Sequence, residues 1–231
     1  MTDYIKSNLA TVRAQISAAE GAVQREGRTS LVAAVKYATN EEIDALLAQG
    51  VLDVGENRVQ QLLAHAPVYE GRDVRVHFIG TLQKNKIKYI IDKVFAVHSV
   101  DSVSLATELN RHAAKSGRVL GVFVEVNIGR EAAKGGVAPE EAEALCREIE
   151  SLPNLSLLGL MTMAPRSETE AEYRAYFKST RVLAETIWQA LGREDRPRLS
   201  MGMSESFEAA IKEGADLVRV GRHLFMQHSE S

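Results

Sequence analysis

One lysine attracts attention because it ends an apolar run. Residues 31–36 read LVAAVK, so five apolar residues lead directly into Lys36. A lysine is seldom fully buried unless a partner holds its charge. Its aliphatic stem can also reach water from a strand end, and that explanation stays open at this point. A lysine amine in an apolar setting can instead form a Schiff base with a carbonyl compound, which makes Lys36 a candidate reactive amine.

A second group of residues, near the carboxyl terminus, is suited to holding a phosphate. Ser204 begins a Ser-Glu-Ser stretch typical of a helix start, where free backbone amides bind anions. Gly221 follows an apolar run at a point where a side chain would block close approach of the backbone. Arg219 alternates with valines, so its side chain points away from theirs, and it needs either a ligand or a strand carboxylate such as Glu125 as an acceptor. An amine, a phosphate site and an inward arginine fit an aldehyde that carries a phosphate. Pyridoxal 5′-phosphate (PLP) is the first candidate and a sugar-phosphate aldolase substrate the second.

The elements that must position these residues alternate regularly along the chain. Amphipathic helical segments separate eight apolar, strand-like runs, which lie at residues 31–36, 51–55, 74–80, 94–100, 119–128, 155–163, 198–202 and 217–221. A helix is predicted over residues 3–26, and Thr39 and Asp101 are expected to begin later helices. Eight strand–helix steps predict an α/β fold, a (β/α)8 TIM barrel preceded by the N-terminal helix, as a single domain over residues 1–231. A doubly wound open sheet is the alternative, although the turn after the first run has no glycine.

A barrel collects its chemistry at the carboxyl ends of its strands, and other polar residues end the predicted runs. Asn57 could contact a bound ring or cap its helix. His77 and His98 could line a pocket, but each is equally consistent with a structural, hydrogen-bonded histidine. The six histidines show no metal-binding spacing, so we expect no metal. Lys134 precedes two glycines and could meet a second phosphate, although an ordinary surface loop explains it better.

The composition excludes several classes of protein. The chain has 231 residues, 45% hydrophobic and 26% charged, with a formal net charge of −3, which gives no reason to expect binding to nucleic acid or a membrane. The N-terminal segment lacks the apolar stretch of a secretory signal. The single cysteine, Cys146, rules out an internal disulfide and is expected to be buried. We therefore expect a cytoplasmic protein, and a monomer.

Several longer motifs resemble one family. The chain resembles the pyridoxal phosphate homeostasis proteins, single-domain barrels related to the N-terminal domain of alanine racemase, from the N-terminal helix to Phe225. The motifs that carry the resemblance are LVAAVK, GENRVQ at 55–60, HFIGTLQKNK at 77–86, HSVDS at 98–102, VNI with the KGG at 134–136, GLMTMAP at 159–165, and LSMGMSESFEAAIKEGADLVRVG at 199–221.

The resemblance implies a cofactor site and a function. Lys36 would carry PLP as a Schiff base, and Arg219 would face the pyridine nitrogen. The PLP phosphate would be held by backbone and hydroxyl groups of Ser200, Met203, Ser204, Gly221 and Arg222. From their places at predicted strand ends, we also expect Asn57 and His77 to lie beside the cofactor. The implied function is PLP homeostasis: buffering the cofactor and delivering it to apo-enzymes, with little or no turnover and so no catalytic residue. A PLP-dependent amino-acid racemase is the alternative, and a Schiff-base aldolase without cofactor is the third interpretation.

Overall fold

The N-terminal helix is shorter than its sequence pattern predicts. The computed structural model describes residues 2–227, and in it α1 covers Asp3–Gly21, with Ile5, Leu9, Val12 and Ile16 buried on one face. The predicted end at residue 26 is wrong. The carboxylate of Glu20 accepts the backbone amides of Gly27 and Thr29, at 3.0 and 2.6 Å, and these bonds stabilise a turn into the first strand.

The eight apolar runs form a closed barrel of parallel strands in sequence order, which confirms the predicted TIM-barrel fold. The strands are β1 (Ser30–Ala34), β2 (Asp53–Glu56), β3 (Arg75–Phe78), β4 (Ala96–Val100), β5 (Leu120–Val126), β6 (Leu155–Thr162), β7 (Arg198–Met203) and β8 (Leu217–Val220). The sheet closes at β1, where Val32 is in register with Asp53 of β2 and with Arg219 of β8. The alternative of an open, doubly wound sheet is therefore wrong.

Helices surround the barrel, and all but one of the connections between strands contain an α-helix. They are α2 (Asn40–Leu47), α3 (Val59–Tyr69), α4 (Val103–Lys115), α5 (Ala142–Glu150), α6 (Glu170–Ala190), α7 (Phe207–Lys212) and α8 (Arg222–Phe225). A 3₁₀ helix, Lys84–Tyr89, connects β3 to β4 in place of an α-helix. Thr39 caps α2 in a reciprocal capping box with Glu42, as predicted. The cap of α4 is Ser102 and not Asp101, because the Ser102 hydroxyl accepts the Leu105 amide at 3.3 Å.

The N-terminal helix completes the outer layer beside the short last helix. The side-chain amide of Asn8 donates to the backbone oxygens of Leu224 and Met226, at 3.2 and 2.9 Å, so α1 is tied to the segment around α8. The large core lies between strands and helices. A smaller apolar cluster fills the barrel itself and consists of Val32, Ala96, Phe123, Met161 and Leu217. Among residues 2–227, no helix has both the length and the apolar character needed to cross a membrane.

Candidate functional site

Lys36 lies at the mouth of the barrel, beyond the strand that leads to it. β1 ends at Ala34, because the amide of Ala38 donates to the oxygen of Val35 at 2.9 Å and closes a turn. Val35 is buried, whereas the Lys36 side chain is exposed. The expected apolar setting is therefore wrong: the amine stands 5.0 Å from the centre of the exposed Tyr37 ring. This position leaves the amine accessible to an aldehyde that enters from solvent.

The ends of β7 and β8 form a tight structure next to Lys36. Ser206 donates its amide to the oxygen of Met203 at 2.8 Å, and its hydroxyl accepts the amide of Met203 at 3.2 Å. The hydroxyl of Ser204 accepts the amide of Gly221 at 3.4 Å, which joins the two strand ends. Within the described residues 2–227, the amides of Ser204 and Arg222 make no hydrogen bond. These two amides and the Ser204 hydroxyl are the polar groups suited to an anion.

Gly221 also has a steric reason to be glycine. A Cβ at this position would stand 2.7 Å from the backbone oxygen of Ala34, at the end of β1. The close backbone approach predicted at Gly221 is therefore a contact between the ends of β8 and β1. It places Gly221 beside the segment that carries Lys36. The side chain of Arg222 is exposed and forms an ion pair with Glu205, so it lies over the turn at 203–206 and its charge is already paired.

Arg219 lies inside the barrel, as its alternation with valines predicts, and is 5% exposed. Its guanidinium donates to the Ser200 hydroxyl at 2.7 Å and to the backbone oxygen of Thr162 at 2.9 Å. Burial lowers the pKa of Arg219 to about 10, and the nearby carboxylate of Glu125 partly offsets that effect. The guanidinium therefore stays charged at neutral pH. Within the described residues, the guanidinium bonds Ser200 and Thr162 and does not form the ion pair with Glu125 that the sequence left open.

Two predicted cofactor residues belong to the interior instead of the mouth. The Ser200 hydroxyl is fully buried and is bonded to Arg219 and to Nδ1 of His98, the latter at 2.9 Å. His77 is also buried, between Asp53 and His98. Both side chains have hydrogen-bond partners inside the barrel, so the phosphate contact of Ser200 and the ring contact of His77 stay predictions, and the proposal below does not use them. For both histidines, the structural interpretation is the one that fits.

Asn57 remains at the mouth. It is half-buried after β2, and the cap position of α3 is Arg58, with no side-chain capping bond. A Cβ on Gly80 would stand 2.1 Å from the backbone oxygen of Asn57, so the loop after β3 packs tightly on this residue. The capping alternative for Asn57 is thus wrong, and its side chain stays a candidate ligand.

Glu125 is a further candidate residue of the site, named from the sequence only as a possible acceptor for Arg219. It lies on β5, 6% exposed, and burial together with the carboxylate of Asp101 raises its pKa to about 6, while Arg219 acts to lower it. Alternation with Val124 and Val126 gives the same inward signal that identified Arg219. The Lys134 loop lies nearby: a Cβ on Gly135 would be 3.8 Å from Glu125 Oε1. Lys134 itself pairs with Glu131, which favours the ordinary-loop interpretation.

The donor set fits PLP. An accessible primary amine at Lys36 suits an aldehyde, while the free amides and hydroxyl at Ser204 and Arg222 suit a phosphate. Gly221 lies between the amine and the phosphate site, and it has no Cβ that would collide with the Ala34 oxygen. Arg219 supplies a charged donor at the base of this mouth.

Comparisons with known proteins agree with this geometry. The family described as "Alanine racemase, N-terminal domain" matches residues 6–229. A pyridoxal phosphate homeostasis protein of Aquifex aeolicus (strain VF5) is 42% identical over 208 residues, covering 90% of this chain and 91% of that protein. The structure of PipY from Synechococcus elongatus PCC7942 with PLP bound superposes with a TM-score of 0.84 at 31% identity, covering 96% of this chain and 100% of PipY. An alanine racemase of Clostridium difficile 630, 20% identical with a TM-score of 0.75, shares the fold over 99% of this chain and 58% of its own.

Proposed function

Because the chain belongs to the pyridoxal phosphate homeostasis family, built on the alanine racemase N-terminal domain, we propose that it binds PLP reversibly and releases it to apo-enzymes. One observation carries the proposal: the close packing of Gly221 against Ala34 places the anion-binding turn beside the strand end that leads to Lys36. An amine and a phosphate site at adjacent strand ends match the two reactive ends of the cofactor. The PLP-bound PipY supports the proposal.

Each residue has a distinct part in holding the cofactor. When bound, PLP supplies an aldehyde that a primary amine attacks reversibly and a pyridine ring that can withdraw electrons. Lys36 offers the amine, and its exposure allows attachment and release without opening the barrel. The amides of Ser204 and Arg222 and the Ser204 hydroxyl would hold the phosphate. Asn57, which follows β2, would contact the cofactor from the side of Lys36 that faces away from β8.

Arg219 favours storage over turnover. The guanidinium is charged at neutral pH, because its pKa is about 10. Placed at the ring nitrogen, it would keep that nitrogen unprotonated, and an unprotonated ring withdraws electrons weakly. A protein that binds PLP firmly and transforms amino acids slowly is suited to buffering the cofactor.

An amino-acid racemase is the second candidate, and Glu125 is the observation that favours it. A carboxyl group with a pKa raised to about 6 is close to the range in which a general acid or base works at neutral pH. Racemisation needs a proton-transfer group on each face of the substrate, and Lys36 could serve one of them. A cofactor-free aldolase has less support, since the family named above is that of a PLP protein.

Two assays on one preparation separate these functions. The PLP-loaded protein is mixed with an apo-transaminase, and the recovery of transaminase activity is followed. Solvent deuterium incorporation into L- and D-alanine is measured in parallel, with Lys36→Ala as the control in both. We expect reactivation, with deuterium exchange no faster than free PLP gives, within about tenfold. Rapid exchange without reactivation would replace the carrier with a racemase.

A further inference from the structure

A chain of hydrogen bonds crosses the inside of the barrel. It begins at Asp53, the first residue of β2, whose Oδ1 lies 2.9 Å from Nε2 of His77. Nδ1 of His77 lies 2.9 Å from Nε2 of His98, and Nδ1 of His98 lies 2.9 Å from the Ser200 hydroxyl. That hydroxyl accepts from Arg219. Three further strands, β3, β4 and β7, thus link the amino-terminal end of β2 to the arginine beneath the site.

The two ends of the chain fix the direction of every bond in it when both histidine rings are neutral. A guanidinium can only donate, so the Ser200 oxygen accepts from Arg219, and the Ser200 hydrogen is then free to face Nδ1 of His98. A carboxylate can only accept, so Nε2 of His77 carries the hydrogen that faces Asp53. Nδ1 of His77 is then an acceptor and takes the Nε2 hydrogen of His98. With neutral rings, both histidines therefore carry the hydrogen on Nε2.

The surroundings favour an uncharged His98 ring. Asp53 is ionised at neutral pH: burial acts to raise its pKa, but hydrogen bonds from Arg75 and His77 outweigh that effect and lower it to about 2. The His98 ring is fully buried and packs against Phe123, with ring centres 4.4 Å apart. Burial, His77 and the charge of Arg219 all lower the pKa of His98. A proton added to His98 would place a charge in an apolar interior, near the guanidinium of Arg219.

We propose that Asp53, His77, His98 and Ser200 are positioning residues that hold the guanidinium of Arg219 in one orientation beneath the cofactor site. The inference rests on the proposed function only in taking Arg219 as the group that faces the cofactor ring. Asp53 thereby influences the site from the opposite end of the barrel, without contact with the cofactor. The bond that Arg219 donates to Ser200 orients one side of the guanidinium, and the bond to the Thr162 oxygen orients the other.

The first test needs no cofactor. Nitrogen-15 NMR of the histidine-labelled protein distinguishes protonated from unprotonated ring nitrogens, and we expect Nδ1 of both His77 and His98 to be unprotonated at neutral pH. Asp53→Asn keeps an oxygen acceptor and should preserve this pattern. Asp53→Ala removes the acceptor, so His98, which does not contact residue 53, should populate the Nδ1-protonated tautomer.

A matched control separates the chain from the ion pair beside it. Arg75 bonds both oxygens of Asp53, at 2.6 Å each, but takes no part in the chain. Arg75→Met should therefore leave the tautomers unchanged. A charged or Nδ1-protonated His98 in the unaltered protein, or a His98 tautomer that does not respond to Asp53→Ala, overturns the inference.

The second test reads the cofactor side. Ser200→Ala removes the link to Arg219, and we expect the dissociation constant of PLP to rise about tenfold, as for loss of one hydrogen bond to a charged group. The visible absorbance band of the bound cofactor should also shift, and Ser200→Thr should restore both. If Ser200→Ala does not fold, His98→Asn provides a second variant. It breaks the link between His77 and Ser200, and the absorbance band of the bound cofactor should shift in the same direction.

The two tests fail in different ways. If the unaltered protein does not bind PLP, the proposed function fails, while the NMR result still decides whether the chain exists. If PLP binds equally well, with the same absorbance band, to folded Ser200→Ala and to the unaltered protein, the positioning role is refuted and the proposed function stands.

Discussion

Gly221 and Ala34 are packed so closely that a methyl group on Gly221 would stand 2.7 Å from the Ala34 oxygen. The contact joins the last strand end of the barrel to the first. Because a backbone oxygen cannot move aside as a flexible side chain can, any larger residue at 221 must displace a strand end. The anion-binding turn and the Lys36 segment would then separate.

Gly221→Ala should weaken PLP binding by about tenfold or more, and the strain of overpacking should lower the free energy of unfolding by about 1–3 kcal/mol. A titration followed by visible absorbance gives the first quantity, and denaturant unfolding the second. Gly21→Ala is the matched control, since no atom lies within 4 Å of a Cβ there. Normal PLP affinity in Gly221→Ala would show that the close contact does not serve the site.

Lys36→Ala should abolish both the visible absorbance of the loaded protein and the covalent link that borohydride makes permanent. The fold should survive, because an exposed side chain contributes little packing. Lys84→Ala, another exposed lysine, controls for non-specific attachment and should behave like the unaltered protein. A reducible adduct that persists in Lys36→Ala would place the reactive amine elsewhere.

Pyridoxal without its phosphate should bind much more weakly than PLP. Backbone amides follow β7 and β8 at the starts of the next helices, and they favour a dianion. Each interaction of a charge with a helix N-terminus is worth about 0.3–2 kcal/mol. Ser204→Ala removes the hydroxyl and should narrow the difference between the two ligands by weakening PLP alone. Equal affinities for pyridoxal and PLP in the unaltered protein would contradict the phosphate role of this turn.

Glu125→Gln should stabilise the protein at neutral pH. The carboxyl pKa is raised from 4.5 to about 6, so the folded state binds a proton that the unfolded state releases between these values. Stability from this group is fully present below pH 4.5 and is lost as pH rises through 6. The substitution should therefore gain about 2 kcal/mol at pH 7 and nothing near pH 4, measured by denaturant unfolding. Glu148→Gln, on the exposed side of α5, is the matched surface control for the change from carboxylate to amide.

Cys146 should be inert in the folded protein. It is buried on α5, and burial, with Glu150 and Glu143 nearby, raises the pKa of its thiol to about 12. The reactive thiolate is therefore scarce, and alkylation by iodoacetamide should be at least about a hundredfold slower than in denaturant. Since the chain has one cysteine, mass spectrometry gives an unambiguous readout. Fast alkylation under native conditions would mean that α5 opens readily.

Hydrophobic alternation was sufficient to predict the barrel, because each buried strand needs its own apolar run. The strand ends were predicted less accurately. The apolar run LVAAVK continues to residue 36, but in the structure a turn begins at Val35. Turns of this kind depend on hydrogen bonds that periodicity does not encode. The predicted end of α1 was wrong for a similar reason, since Glu20 forms its bonds to residues further along the chain.

The inward direction of Arg219 was predictable from alternation, but the partners of its guanidinium were not. Ser200 and Thr162 come from other strands, and the stagger between neighbouring strands decides which side chains share a level inside the barrel. The sequence therefore did not show that the Ser200 hydroxyl bonds both Arg219 and His98. The same limitation concealed Asp53, which is 24 residues from His77 in sequence but bonded to it.

The bonds from Asn8 to Leu224 and Met226 have a consequence for how the chain folds. They span 216 and 218 residues, and the pairing of β1 with β8 also joins distant segments. Native contacts of such high sequence separation cost more loop-closure entropy than the local strand–helix steps and slow folding. The seam between α1, β1 and β8 should thus be a late event, and Asn8→Ala should mainly accelerate unfolding while leaving the refolding rate nearly unchanged.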